Sequence, residues 1–295
     1  MDFLTKYGYT PDPEAMGRAL QLIASNLENV ASEQLYKDCF SMMDLTTLKT
    51  DDTPASVTKL VNKVNSFQQS YPEWPLPASV CVYPNFASVV AKERACDFNI
   101  TVVSACFPSS QSFLEVKLKE CEIAVEQGAD EVDIVLALSA FLAGDYQAAF
   151  EEIRQVRACI DAVAAKQNRH VHLKVILETG LLRTPEKIAQ ASFLAMEAGA
   201  DFIKTSTGKV DVNATPSAAY VMCECIAKYH EATGKKIGFK PAGGISSAAD
   251  ALSYYSIVSS ILGKEWLNKN LFRFGVSRVA NSILAAVEQK TVAFF

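Results

Sequence analysis

Eight short apolar runs, each followed by a turn and then room for an amphipathic helix, narrow the fold of this chain more than any other feature. They are FSMMDL (40–45), SVCVYP (79–84), TVVSACF (101–107), EVDIVL (131–136), HLKVILET (172–179), DFIKTST (201–207), IGFKPAG (237–243) and FRFGVS (272–277). Short apolar runs bounded by Gly, Pro and small polar residues read as strands, and near-continuous apolar character marks strands buried on both faces of a parallel sheet. Helix starts fall between them. Thr53-Pro54 after Asp51-Asp52, Thr184-Pro185-Glu186 and Thr215-Pro216 each set a capping hydroxyl before a proline at the first helical position. Eight strand–helix units in 295 residues predict an α/β protein, a (β/α)8 or TIM barrel. A doubly wound sheet is the rival, but no GxGxxG follows the first strand. Ahead of the barrel, Met16, Leu20, Leu22, Ile23 and Leu27 recur with helical spacing over 14–32. The expected division is an N-terminal helical extension at 1–37, the barrel at 38–288 and a C-terminal tail at 289–295, with no linker to mark a second domain.

Composition narrows the partners. A chain that is 49% hydrophobic can bury a sizeable core, and a net charge of -5 with scattered Lys and Arg offers no patch for nucleic acid. No apolar run approaches the roughly 20 residues that span a bilayer. The start, MDFLTKYGYTPDPEAMG, has acids and prolines where a secretory signal has an apolar stretch. Eight cysteines, at 39, 81, 96, 106, 121, 159, 223 and 225, follow no disulfide-framework spacing and read as reduced thiols. Cys223-Glu224-Cys225 has no second Cys or His pair nearby to complete a zinc knuckle. The expectation is a soluble, cytoplasmic protein with no membrane partner. Its oligomeric state stays open, a homo-oligomer included.

Two strand runs carry lysines where a buried strand tolerates them least: Lys204 in AGADFIKTSTGK and Lys240 in KIGFKPAGG. A buried ammonium must be paired or lose its proton, and a lysine pushed toward neutrality becomes an amine nucleophile for a carbonyl carbon. A weak internal repeat adds a partner. EQGADEVDIV (126–135) and EAGADFIKTS (197–206) share a Glu-x-Gly-Ala-Asp exit into a strand, with Asp133 and Lys204 at matching positions. Barrel interiors are layered by alternate strands, so Asp133 and Lys204, on the fourth and sixth strands, are expected at one height. Lys174 and Lys240, on the fifth and seventh, fill the layer beside them, with Glu178 as candidate partner for Lys174. Repulsion among the ammoniums lowers at least one pKa, while Asp133 serves either as counter-ion or as an acid/base acting through water.

Gly243-Gly244 follows the seventh strand and Gly275-Val276-Ser277 closes the eighth, where barrels commonly build a phosphate site from backbone N–H groups and a helix N-terminus. Gly208-Lys209, after the sixth strand, adds a charged contact or is a solvated loop. The three histidines do not form a metal site: His170 and His172 enter the fifth strand at the barrel's bottom, and His230 falls late on a helix. With no HExxH or Cys/His cluster, neither metal nor cofactor is expected, and lysine is left to polarise the carbonyl.

The motifs MMDLTTL (42–48), GADEVDIV (128–135), LKVILETG (173–180), GADFIKTSTGKV (199–210), VNATP (212–216), GFKPAGGI (238–245) and RFGVS (273–277) resemble those of deoxyribose-phosphate aldolase, in order and across nearly the whole barrel. The resemblance implies a metal-free class I aldolase that cleaves 2-deoxyribose 5-phosphate to acetaldehyde and glyceraldehyde 3-phosphate in deoxyribose catabolism. It implies that Lys204 forms the Schiff base, that Lys240 lowers its pKa, and that Asp133 is the acid/base. Lys174 and Asp44 belong to the polar network, Thr207 lines the pocket, and the phosphate rests on Gly208, Lys209, Gly243, Gly244 and Ser277. The chain departs from the family pattern at Arg278, at Ser104–Pro108, which lacks an Asn before Phe-Pro, and at a tail that ends without a tyrosine. Two other readings stay open: an aldolase or transaldolase for a different phosphorylated sugar, and a silent barrel that binds sugar phosphates, against which the intact lysines speak.

Overall fold

Each of the eight runs overlaps one strand in the computed structural model, which describes residues 1–295. The strands are β1 (Met43–Thr46), β2 (Ser79–Val82), β3 (Asn99–Val103), β4 (Glu131–Val135), β5 (His172–Ile176), β6 (Phe202–Lys204), β7 (Gly238–Lys240) and β8 (Phe274–Val276). All pair in parallel, in the order β7-β6-β5-β4-β3-β2-β1-β8. The sheet closes between β7 and β8 without a regular ladder: Arg273 N donates to Phe239 O at 3.0 Å and Gly275 N to Pro241 O at 2.9 Å. Closure excludes the doubly wound rival. Gly275 is required at this seam, because a Cβ there would lie 2.7 Å from Ala242 Cβ and 3.2 Å from Lys240 Cε.

The helices are α1 (Phe3–Tyr7), α2 (Pro13–Val30), α3 (Glu33–Ser41), α4 (Pro54–Ser70), α5 (Ala87–Glu93), α6 (Leu114–Glu126), α7 (Leu138–Leu142), α8 (Tyr146–Lys166), α9 (Thr179–Leu182), α10 (Pro185–Glu197), α11 (Pro216–Thr233), α12 (Ala248–Leu262) and α13 (Val279–Glu288). The three Thr-Pro signals each start one. Thr53, Thr184 and Thr215 accept from the N–H of Ser56, Lys187 and Ala218, satisfying donors that a helix start leaves free.

The N-terminus forms three helices rather than the single one expected, and α3 continues through Phe40 and Ser41, which the sequence pattern assigned to the first strand. Phe40 is helical, and its buried ring stacks on Phe67 of α4, 4.9 Å between centroids. The N-terminal segment packs on the chain's own barrel. Tyr7 stacks on Phe193 of α10 at 4.5 Å, the Tyr9 hydroxyl donates to Glu224 of α11 at 2.7 Å, and α2 lies along α11 and α12. Leu22, expected on the apolar stripe of α2, faces solvent instead at 64% exposure. At the other end Asn281 holds the backbone of Phe294 and Phe295, whose rings close over Phe67. No helix is long and apolar enough to cross a membrane.

Candidate active site

Alternation along each strand decides which residues face the barrel axis. On β4 these are Glu131 and Asp133, on β5 Lys174, on β6 Phe202 and Lys204, and on β7 Gly238 and Lys240. A Cβ on Gly238 would meet the Phe202 ring at 2.3 Å, so the small residue on β7 makes room for the aromatic one on β6. The register sets Lys204 beside Lys240 and Asp133 beside Lys174. Lys174 itself is level with Phe202, one inward position below Lys204. It therefore pairs with Asp133 at that lower level instead of sharing a layer with Lys240.

Asp133 is the hub. Its Oδ2 accepts from Lys204 Nζ and Lys240 Nζ at 2.8 Å each, and its Oδ1 from Lys174 Nζ at 3.1 Å. Lys240 Nζ also lies 2.5 Å from Asp44 Oδ2, and Asp44 Oδ1 accepts from Arg273 at 2.6 Å. Arg273 reaches across to Glu131 at 2.6 Å, and Glu131 pairs with Lys174. Thr101 donates a further hydrogen bond to Glu131 at 2.9 Å. Four cations and three carboxylates thus share one buried volume, where isolated charges are costly and paired ones persist.

The same surroundings act differently on the two lysines of β6 and β7. Burial lowers the pKa of Lys204; Asp133 opposes the shift and the neighbouring Lys240 ammonium adds to it. Burial also pulls on Lys240, but Asp133 and Asp44 together overcome it and raise its pKa above the ordinary lysine value. Lys240 accordingly stays charged while Lys204 is eased toward the neutral amine. Burial works against ionised Asp133 as well, yet Lys174, Lys204 and Lys240 hold its carboxyl well below the usual range. Asp133 in the free protein is a carboxylate counter-ion.

Above this cluster, at the C-terminal ends of the strands, lies an open pocket of about 600 Å³. Lys204 reaches its floor with 4% exposure, whereas Lys174, Lys240, Asp44 and Asp133 are at 0%. Thr207, Gly208, Lys209, Gly243, Gly244 and Ser277 line the walls, together with Lys49, Ser246 and Arg278. Gly243 sits at φ 75°, and a Cβ would meet Asn213 Oδ1 at 2.7 Å, so neither its backbone nor its space admits another residue. Lys209 reaches over the mouth to donate to Leu48 O at 2.5 Å. The first turn of α13 opens here without a side-chain cap.

All the expected site residues converge, Thr207, Lys209, the glycines and Ser277 on the pocket walls, Lys204 at its floor, and Lys174, Lys240, Asp44 and Asp133 beneath it. One pairing differs. Glu178 does not serve Lys174, because β5 ends at Ile176 and Glu178 adopts a left-handed backbone, φ 55°, that breaks the alternation. Its carboxylate accepts instead from Thr207 N at 3.1 Å and Thr207 Oγ1 at 2.5 Å. Glu131 and Arg273 are not among the residues expected from sequence. Period two was the available signal: Glu131 shares a face with Asp133, and Arg273 interrupts Phe272 and Phe274 as Lys204 interrupts its own run.

A closed (β/α)8 barrel whose charged core sends one lysine into a polar pocket at the C-terminal ends of its strands is the framework of a barrel enzyme. The model of the DeoC/LacD family aldolase matches residues 39–256. The deoxyribose-phosphate aldolase of Homo sapiens is 42% identical over 255 residues, 82% of this chain and 77% of its own length. That of Bos taurus is 40% identical over 260 residues, 84% and 78% of the two chains. Among solved structures, the aldolase QR15 superposes with a TM-score of 0.67 at 26% identity, over 85% of this chain and 97% of its own. The tetrameric deoxyribose phosphate aldolase of Aeropyrum pernix, 22% identical, shares the fold at a TM-score of 0.67 over 94% and 98%. The chain belongs to the DeoC/LacD aldolase family and is a carbon–carbon lyase.

Proposed function

We propose that this protein is a class I aldolase that reversibly cleaves 2-deoxy-D-ribose 5-phosphate to acetaldehyde and D-glyceraldehyde 3-phosphate. One observation carries the reading: of the four buried cations in the barrel core, only Lys204 reaches the floor of the pocket, and it is the lysine eased toward neutrality. The neutral amine of Lys204 attacks the C1 aldehyde of the open-chain sugar and loses water to form an iminium. That cation draws electrons from the C2–C3 bond as the C3 hydroxyl gives up its proton, so glyceraldehyde 3-phosphate leaves and an enamine remains. Protonation at C2 and hydrolysis then release acetaldehyde and restore Lys204.

Lys240 and Asp133 serve the proton transfers, through water between the carboxylate and the substrate. When the Lys204 iminium collapses to the uncharged enamine, Asp133 keeps only two cationic partners and is better able to take a proton than beside the iminium. Lys174 and Asp44 hold these groups in place, and Thr207 meets the substrate at the wall. The phosphate rests on Gly208, Lys209, Gly243, Gly244 and Ser277, with the uncapped start of α13 completing the anion site. Anchored there, the sugar is held with C1 over Lys204, a gain in orientation.

Eight free cysteines, five of them buried, suit a reducing cytoplasm. A homo-oligomer accords with the tetramer named for the Aeropyrum pernix relative. The test of the reaction is borohydride reduction in the presence of acetaldehyde. An N-ethyl group on the peptide that contains Lys204 is expected; an enzyme that cleaves the sugar phosphate yet yields no adduct would refute the Schiff base.

A further inference from the structure

The buried ion pairs close into a ring. Lys240 touches Asp44 at 2.5 Å, Asp44 touches Arg273 at 2.6 Å, and Arg273 touches Glu131 at 2.6 Å. Glu131 touches Lys174, Lys174 touches Asp133 at 3.1 Å, and Asp133 returns to Lys240 at 2.8 Å. Charges alternate around this ring, three positive and three negative, so it is neutral without Lys204. Lys204 hangs from Asp133 at 2.8 Å as a seventh member. Protonated, it leaves the barrel core with one charge unmatched; deprotonated, it leaves none.

We propose that Arg273 and Glu131 are positioning residues that balance the charge of the barrel core and thereby make Lys204 its surplus cation. Neither lines the pocket, and each acts on Lys204 through the ring. The inference rests on Lys204 being the nucleophile.

The other titratable groups around Lys204 leave this balance standing. Glu178, at the exit of β5, has both oxygens engaged by Thr207 and no ion pair with Lys204; burial pushes its carboxyl upward, opposed by the Thr207 hydrogen bonds and by the more distant charge of Lys204. Cys81 of β2 is a buried thiol whose pKa rises with burial, which keeps it neutral. His172, at the start of β5 beside Glu131, is pushed down by burial and adds no cation at neutral pH. At the mouth Lys49, Lys209 and Arg278 add positive charge, which favours neutral Lys204 further.

Charge balance gives opposite signs to two substitutions. Removing the positive charge in Arg273→Met leaves the ring negative, so Lys204 holds its proton more tightly and the acid limb of kcat/KM moves to higher pH. Removing the negative charge in Glu131→Gln moves that limb to lower pH. Each shift is expected to be about one pH unit or more. The double variant Arg273→Met/Glu131→Gln is balanced again and returns the limb to its wild-type position, as does the charge-conserving Arg273→Lys.

The measurement is the pH profile of kcat/KM, paired with borohydride trapping by acetaldehyde at each pH. Limbs that stay put, or move the same way in both single variants, overturn the proposal. If the single variants do not fold, the double variant decides: folding with a wild-type limb supports charge balance, and failure to fold overturns it. Wild-type protein that shows no adduct at any pH refutes the Schiff base itself, an outcome separate from unmoved limbs in a protein that does trap.

Discussion

Lys204 and Lys240 are the same residue on adjacent strands, directly paired in register, and almost equally buried. Their difference lies in the count of carboxylates. Lys240 has Asp44 and Asp133, while Lys204 has only Asp133, which it shares with two other ammoniums. Lys204→Leu is therefore expected to abolish cleavage while leaving the fold at least as resistant to urea as the wild type, since the ring stays intact and a costly buried amine is gone. Lys240→Leu is the contrast. It strips Asp44 and Asp133 of a partner at once, with an expected loss of about 3–5 kcal/mol in urea unfolding. Its turnover should fall by about 10²–10⁴-fold, the span of a lost proton-transfer group. Equal urea midpoints for the two variants would refute this division of roles.

The seam between β7 and β8 is the element on which the site depends most. β7 has three residues, and the closure relies on a few backbone bonds around Gly275. Gly275→Ala sets a methyl against Ala242 and the Lys240 side chain, so an overpacking loss of about 1–3 kcal/mol is expected. Because one of the displaced atoms belongs to Lys240, kcat should fall along with the denaturation midpoint. A variant with lowered stability and untouched kcat would show that Lys240 tolerates displacement. The strand ends also explain what periodicity misread. Alternation places Glu178 on the inward face only while the strand lasts, and the left-handed turn after Ile176 sends its carboxylate to Thr207.

For the molecule as a whole, the buried ring links stability to pH. Asp44, Glu131 and Asp133 have folded pKa values below their ordinary ones, because cationic partners outweigh burial. Such groups contribute stability that is fully present above their unfolded values, 3.8 for Asp and 4.5 for Glu, and is lost as pH falls below these toward the folded values. Lys240 has the opposite sign: its raised pKa contributes stability below the ordinary lysine value of 10.5, lost as pH rises beyond it. Urea midpoints are expected to fall steeply below about pH 4 and again in strong alkali. The Asp44→Asn/Arg273→Met pair, which removes one charge of each sign, should flatten the acid limb; an unchanged acid limb in that variant would place the sensitivity elsewhere.

Much was legible along the chain because strand period and turn chemistry are local. Eight runs, three Thr-Pro helix starts and the lysines that interrupt two strands are all visible in order of sequence. The convergence of Lys204, Lys240 and Asp133 was also readable, since alternate strands of a barrel must bring such residues to one interior. Pairing was not. Arg273 meets Asp44 across 229 positions and Glu131 across 142, and only barrel closure, with its particular register and tilt, sets those side chains within reach. The amino-acid sequence by itself determined the barrel and the residues that face its axis. The tertiary structure decided which charge answers which, and with it which lysine is left without a carboxylate of its own, because Coulomb energy in a buried site depends on distances of a few ångströms that no local pattern encodes.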